Sequence, residues 1–135
     1  NDTIGLVRKL VENHDVYIDL TAKSVRHTVN RVGEDVFPLL MELRTADIMA
    51  QSDYKREEKL ERVEELKKLY TKVVEEGNCL SLKTLAVNGR DLIELGFPKG
   101  PALGDELERL LDLVLNNPEL NDREILLEMA REKLK

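Results

Sequence analysis

Apolar residues recur at spacings of three and four from one end of this sequence to the other, and no stretch alternates apolar with polar in the two-residue period of a strand. That pattern confines the chain to helices. Ile4, Val7, Leu10 and Val11 form a first stripe, with Asn1, Asp2 or Thr3 available to cap it. A second helix is predicted over Thr21–Val32, with Val25, Val29 and Val32 inward and Gly33 ending it. Glu34 and Asp35 open a third, in which Pro38 falls in the first turn, where its missing N–H costs nothing. Its apolar set is Phe37, Leu40, Met41, Leu43, Ile48 and Met49.

The longest segment, Asp53–Glu76, holds Leu60, Val63, Leu66, Leu69, Tyr70, Val73 and Val74, with Gly77 as the residue just past its end. Fifteen of its residues are charged, seven basic and eight acidic, and this mixture suits a solvated face with pairs one turn apart. The expected role is a strut between two smaller lobes. After it come a connector over Asn78–Leu85 and a brief helix, capped at Asn88-Gly89-Arg90-Asp91 and ended by Gly96. A turn through Pro98 and Lys99 leads to Pro101, which suits the first position of a helix reaching Asn116. Asn117-Pro118 stops that helix. Asn121 is then expected to cap a last one carrying Ile125, Leu126, Met129 and Leu134. The fold class is all-α, with three parts: 1–52, a connecting helix over 53–78, and a tail over 79–135.

Several classes fall away at once. With 36% charged and 41% hydrophobic residues the chain is neither disordered nor a β-sandwich. No run approaches the ~18 apolar residues of a membrane helix. The single cysteine, Cys79, rules out a disulfide framework and fits a reducing, cytoplasmic address with a plain buried thiol. G-x-S-x-G, P-loop and dinucleotide-binding fingerprints are all missing. The chain begins at Asn1, without an initiator Met or a signal peptide, and reads as a piece of something longer.

Two places could carry chemistry by residue type. His14-Asp15, with Asp47 on the third helix, could ligate a divalent metal or act as a base. Capping or packing by His14 fits equally, because no third ligand shows a matching spacing. Charge distribution says more than the net charge of −6. Leu20–Gly33, Gly77–Arg90 and Leu95–Gly104 contain no acid at all, which removes local repulsion toward phosphate. Lys23, His27 and Arg31 stand at i, i+4 and i+8, on one side of a helix. At the corner Gly96–Gly104 a helix starts near Gly100 with bare N–H groups that attract phosphate, and Gly100 and Gly104 would let another backbone come close. A turn whose glycines serve helix packing alone is the other reading.

The stretch Leu80–Gly96, with Asn88-Gly89-Arg90-Asp91-Leu92 at its centre, and the following Gly100-Pro101-Ala102-Leu103-Gly104 resemble the C-terminal region of bacterial CCA-adding tRNA nucleotidyltransferases. These belong to the class II tRNA nucleotidyltransferase and poly(A) polymerase family. Upstream, Leu10-Val11 with His14-Asp15, Val25-Arg26, Arg31-Val32-Gly33 and Leu43-Arg44-Thr45-Ala46-Asp47 look like the second half of an HD-type domain. The resemblance implies a helical body and tail that grip tRNA through backbone and shape. Lys23, Arg26, His27, Arg31, Arg90, Lys99, Gly100 and Gly104 would be the RNA-contacting residues, with His27 where many relatives carry Arg. It further implies that the catalytic head, with Mg²⁺ and CTP or ATP, lies N-terminal to this region, so that no cofactor is expected here. His14 and Asp47 match only the later His and terminal Asp of an HD metal site. Two other functions stay open: part of a metal-dependent HD phosphohydrolase acting on nucleotides, and a helical module dimerising through the 53–76 helix.

Overall fold

The computed structural model describes residues 2–135, so Asn1, one of the three caps offered for the first helix, lies outside the described residues. Among these residues there are seven α-helices and no strand, and the protein is all-α. The chain divides into two units, Asn1–Asn78 and Cys79–Lys135.

The first unit contains α1 (Asp2–Asn13), α2 (Ala22–Val32), α3 (Val36–Ala50) and α4 (Arg56–Glu75). Helices α2, α3 and α4 pack on one another, and α1 packs on α3. Val25, Val29 and Val32 of α2 are fully buried, as their spacing predicts, against Phe37, Leu40 and Met41 of α3 and Leu66 and Val73 of α4. Gly33 ends α2 at φ 105°, a conformation in which a side chain would be strained. Its N–H donates to the Val29 carbonyl at 2.7 Å.

Helix α4 packs on α2 and α3 within the first unit. It begins at Arg56, three residues later than the charge pattern suggests, because Lys55 takes the left-handed conformation (φ 55°) and Asp53 pairs with Arg56 across that turn at 3.1 Å. Val63, Leu66 and Val73 are buried inside the first unit, Leu60 and Leu69 are half-buried, and Val74 is exposed. Tyr70 stacks on Phe37 with ring centroids 4.8 Å apart and donates its hydroxyl to the Glu34 carbonyl at 3.0 Å. Gly77 ends α4 as predicted: Gly77 N–H reaches the Val74 carbonyl at 3.0 Å and Asn78 N–H the Val73 carbonyl at 3.2 Å, the crossed pair of a Schellman motif.

Two other expectations need correction. The α1 stripe does not face a core: Ile4 and Val11 are each 60% exposed, and Val7 is 53% exposed. In α3 the burial stops at Met41, and Leu43 and Met49 face outward.

The second unit contains α5 (Gly89–Leu95), α6 (Pro101–Asn116) and α7 (Arg123–Leu134), with 3-10 turns at Leu82–Thr84 and Pro118–Leu120. Leu92, Leu110, Val114, Leu126 and Ala130 form its fully buried centre. Glu106 is buried too, its charge matched by a two-pronged hydrogen bond from Arg109 at 2.7 Å on each oxygen. The last helix is capped by Asp122 rather than Asn121, the Asp122 carboxylate accepting from Ile125 N–H at 3.1 Å. Asn121 instead clamps the connector. Its Oδ1 accepts from Ala86 N–H at 2.8 Å and its Nδ2 donates to the Thr84 carbonyl at 3.1 Å. Cys79 is buried.

Candidate RNA interface

In the first unit the candidate residues are set by the register of α2. Thr21 caps it, its hydroxyl accepting from Ser24 N–H at 3.1 Å. From that start Lys23, His27 and Arg31 line one shallow cleft of about 210 Å³, bordered by Tyr17, Asp19 and Thr28. Lys23 and Arg31 are exposed and His27 is half-buried. The stripe read from i, i+4, i+8 spacing is therefore a single concave face.

Arg26 is not part of it. Its position puts it on the buried side of α2, 8% exposed, with Nη1 3.4 Å from the Asn78 Oδ1. Burial pulls its pKa below the ordinary value, against the opposing pull of Glu76. A guanidinium held there is engaged inside the first unit. Arg31 has a second duty as well: its Nε donates to the Asn13 Oδ1 at 3.1 Å.

That contact belongs to a feature sequence reasoning missed. Three arginines from three helices hold the segment between α1 and α2. Arg44 Nη2 donates to the Asn13 carbonyl at 2.9 Å and to the Val16 carbonyl, and Arg62 Nη2 donates to the Ile18 carbonyl. Arg62 also lies over the Tyr17 ring, 4.5 Å from its centroid. Backbone carbonyls carry no sequence signal, so the spacing of these arginines could not reveal their partners.

His14 fulfils the capping alternative. Its Nδ1 sits 2.7 Å from the Val11 carbonyl, closing the end of α1. Asp15 is 4.0 Å from the same nitrogen. Asp47 accepts from Gln51 Nε2 at 3.4 Å, one turn along α3. His14 and Asp47 line a common cavity of about 410 Å³. Among the described residues no three His, Cys, Asp or Glu side chains group closely enough to hold a metal ion. The described residues do not fit a resident Mg²⁺ or an HD-type metal.

In the second unit the Asn-Gly-Arg-Asp motif is a capping box. Asn88 Oδ1 accepts from Asp91 N–H at 3.0 Å and Asp91 Oδ2 accepts from Asn88 N–H at 2.9 Å. The other oxygen of Asp91 pairs with Arg123 of α7 at 2.9 Å. These bonds hold the Asp91 carboxyl below its ordinary range, the Arg123 hydrogen bond most and the Asn88 backbone next. Arg90, between the two capping residues, is left exposed. At the corner Gly100 adopts φ 120°, and Pro101 follows at the first helical position. Gly100 offers no side-chain cap, so the α6 terminus presents its donors bare, beside an exposed Lys99. At Gly104 an added Cβ would meet nothing within 4 Å. Helix packing inside the chain therefore gives no reason for a glycine at 104.

No helix among the described residues is long and apolar enough to cross a membrane. Among the described residues the protein is thus all-helical and divides into two units, each with exposed cations. It belongs to the family described as tRNA nucleotidyltransferase domain 2, whose pattern matches residues 2–130. No curated protein and no solved structure gives a match. Membership ties the chain to tRNA and to nucleotidyl transfer.

Proposed function

We propose that this chain is the tRNA-gripping body and tail of a class II, CCA-adding or poly(A)-type nucleotidyltransferase. The observation that carries the reading is the cleft where Lys23, His27 and Arg31 converge in a protein whose family acts on tRNA. Single-turn spacing gives a row of donors about 6 Å apart, close to the phosphate spacing of a nucleic-acid strand. Arg90, Lys99 and the Gly100 helix start add phosphate contacts from the tail, directed at shape and backbone rather than at base edges. In this reading residues 1–52 derive from an HD-like body that keeps His14 and Asp47 without a metal. Nucleotide addition to the tRNA 3′ end, with Mg²⁺ and CTP or ATP, belongs to a catalytic head outside these 135 residues.

The test is a salt-titrated binding assay of this chain with whole tRNA and with an acceptor-stem minihelix. Tighter binding to whole tRNA, weakening linearly in log salt, is the expected result. Equal and negligible binding to both would reduce the chain to scaffold.

A further inference from the structure

The cavity lined by His14 and Asp47 also collects three cations. Arg44 from α3 and Lys59 and Arg62 from α4 stand in its wall, with Tyr17 at its edge. Several cations of the chain pair with an acid, as Arg56 with Asp53, Lys67 with Glu64, Lys68 with Glu65, Arg109 with Glu106 and Arg123 with Asp91. Among the described residues Arg44, Lys59 and Arg62 form no ion pair, although Asp15 and Asp47 line the same cavity. Asp47 is turned to Gln51, and Asp15 toward His14. The sole side-chain partner of Lys59 is the Gln51 Oε1, 3.4 Å away.

Arg44 adds a second observation. Its Nε is buried and has no hydrogen-bond partner, a costly condition for a charged donor. Burial draws its pKa down; Asp15 opposes this, while Arg62 and Arg31 push it further down. Arg44 and Arg62 share this wall, and an entering anion would relieve the repulsion between them.

The rest of the cavity fits more than a bare anion. About 410 Å³ is within the range of small-molecule sites and far larger than a phosphate group needs. Ile18, Val63 and Leu66 give it an apolar lining. Tyr17 is 73% exposed, and with the Arg62 guanidinium over one face of its ring the opposite face is where a planar base can stack. Asp15 and Asp47 supply acceptors for hydroxyl and amino groups.

We infer that this cavity binds a nucleoside 5′-monophosphate unit, with the phosphate against Arg44, Lys59 and Arg62 and the base beside Tyr17. The unit is a free nucleotide or an unpaired nucleotide of an RNA chain. The assignment goes beyond the tRNA reading and uses neither the α2 cleft nor the Gly100 corner.

Calorimetric titration of the chain with CMP, AMP, cytidine and inorganic phosphate tests it. The expected result is binding of both nucleotides with Kd below about 1 mM, and of cytidine and phosphate about tenfold more weakly. Lys59→Glu, an exposed position whose replacement spares the fold, weakens CMP about tenfold, and Lys68→Glu, outside the cavity, leaves it unchanged. Arg62→Lys, which keeps the charge but not the planar fork, weakens it less than Lys59→Glu. A single-stranded trinucleotide that binds at least as well as CMP identifies RNA as the source; one that binds more weakly identifies the free nucleotide. No heat with CMP at about 5 mM, equal losses in the Lys59 and Lys68 variants, or phosphate binding as tightly as CMP overturns the assignment. Lys99→Glu leaves CMP binding intact, so failure of the tRNA reading and failure of this one are separable.

Discussion

Arg31 donates from Nε to the Oδ1 of Asn13, 3.1 Å away, and so ties α2 to the end of α1 from the same helical face that lines the α2 cleft. Asn13 is 7% exposed and fully engaged, its Nδ2 donating to the Lys9 carbonyl at 2.8 Å and its own carbonyl accepting from Arg44. Removing the Arg31 side chain leaves a buried oxygen unsatisfied, which costs about 1–3 kcal/mol. Arg31→Ala is therefore expected to lower the urea midpoint, and Asn13→Ala to lower it by a similar amount. Lys23→Ala, two turns away on the same face and without such a partner, leaves the midpoint unchanged. A double-mutant cycle between Asn13 and Arg31 checks whether the two losses share one interaction.

Because of that double duty, Lys23 and Lys99 are the clean probes of RNA contact. Each replacement by Ala should weaken tRNA binding and reduce the slope of log K against log salt by about one, with no change in melting temperature. Arg26→Ala should do the reverse. The residue is buried against Asn78, so its loss lowers stability and leaves the salt slope where it was. Filter binding at four salt concentrations, beside thermal melts of the same variants, separates the two behaviours. An Arg26 variant with a changed slope and an intact melt would return that residue to the interface.

What was legible in the sequence was periodic. The α2 stripe, Gly33, the Gly77 end of α4 and the Asn88–Asp91 cap all follow from spacing or from a residue's local chemistry, and all stand as expected. Which side of α2 an arginine occupies was also encoded: Arg26 follows Val25 directly and lies three residues before Val29, on the face those valines bury. Other features were not encoded locally. The packing of α4 on α2 and α3 was out of reach because a mixed-charge helix looks alike whether its stripe meets a neighbour or spans a gap. The outward-facing α1 stripe shows the same limit, since periodicity reports a helix and not what covers it. The Arg44 and Arg62 anchors were out of reach because their partners are main-chain carbonyls on the 13–18 segment.

The capping box makes a pH-dependent prediction. Asp91 is held below its ordinary carboxyl value by Arg123 and by Asn88 N–H. A depressed carboxyl contributes stability that is present above the unfolded value of 3.8 and is lost as the pH falls below it toward the folded value. The melting temperature should fall as the pH drops below that value, and Asp91→Asn should flatten the fall while lowering the plateau at neutral pH. Asn88→Ala removes the other half of the box and costs about 1 kcal/mol at any pH. Identical acid limbs for the parent and Asp91→Asn would show that the depression comes from elsewhere.

The two corner glycines should separate conformation from contact. Gly100 sits at φ 120°, where any side chain is strained, so Gly100→Ala should destabilise the second unit by about 1–3 kcal/mol and say little about RNA. Gly104 is different. It lies inside α6 with ordinary helical backbone, and an added Cβ meets no atom of this chain within 4 Å. Gly104→Ala should therefore stabilise the helix by about 0.5–1 kcal/mol, seen as a raised melting temperature. If an RNA backbone approaches that corner, the same methyl group stands in its way, and tRNA affinity should fall as stability rises. Opposite signs in the two measurements can only come from a contact made outside the chain. A raised melting temperature with unchanged affinity would remove Gly104 from the interface and leave Lys99 and Arg90 to account for the tail's contacts.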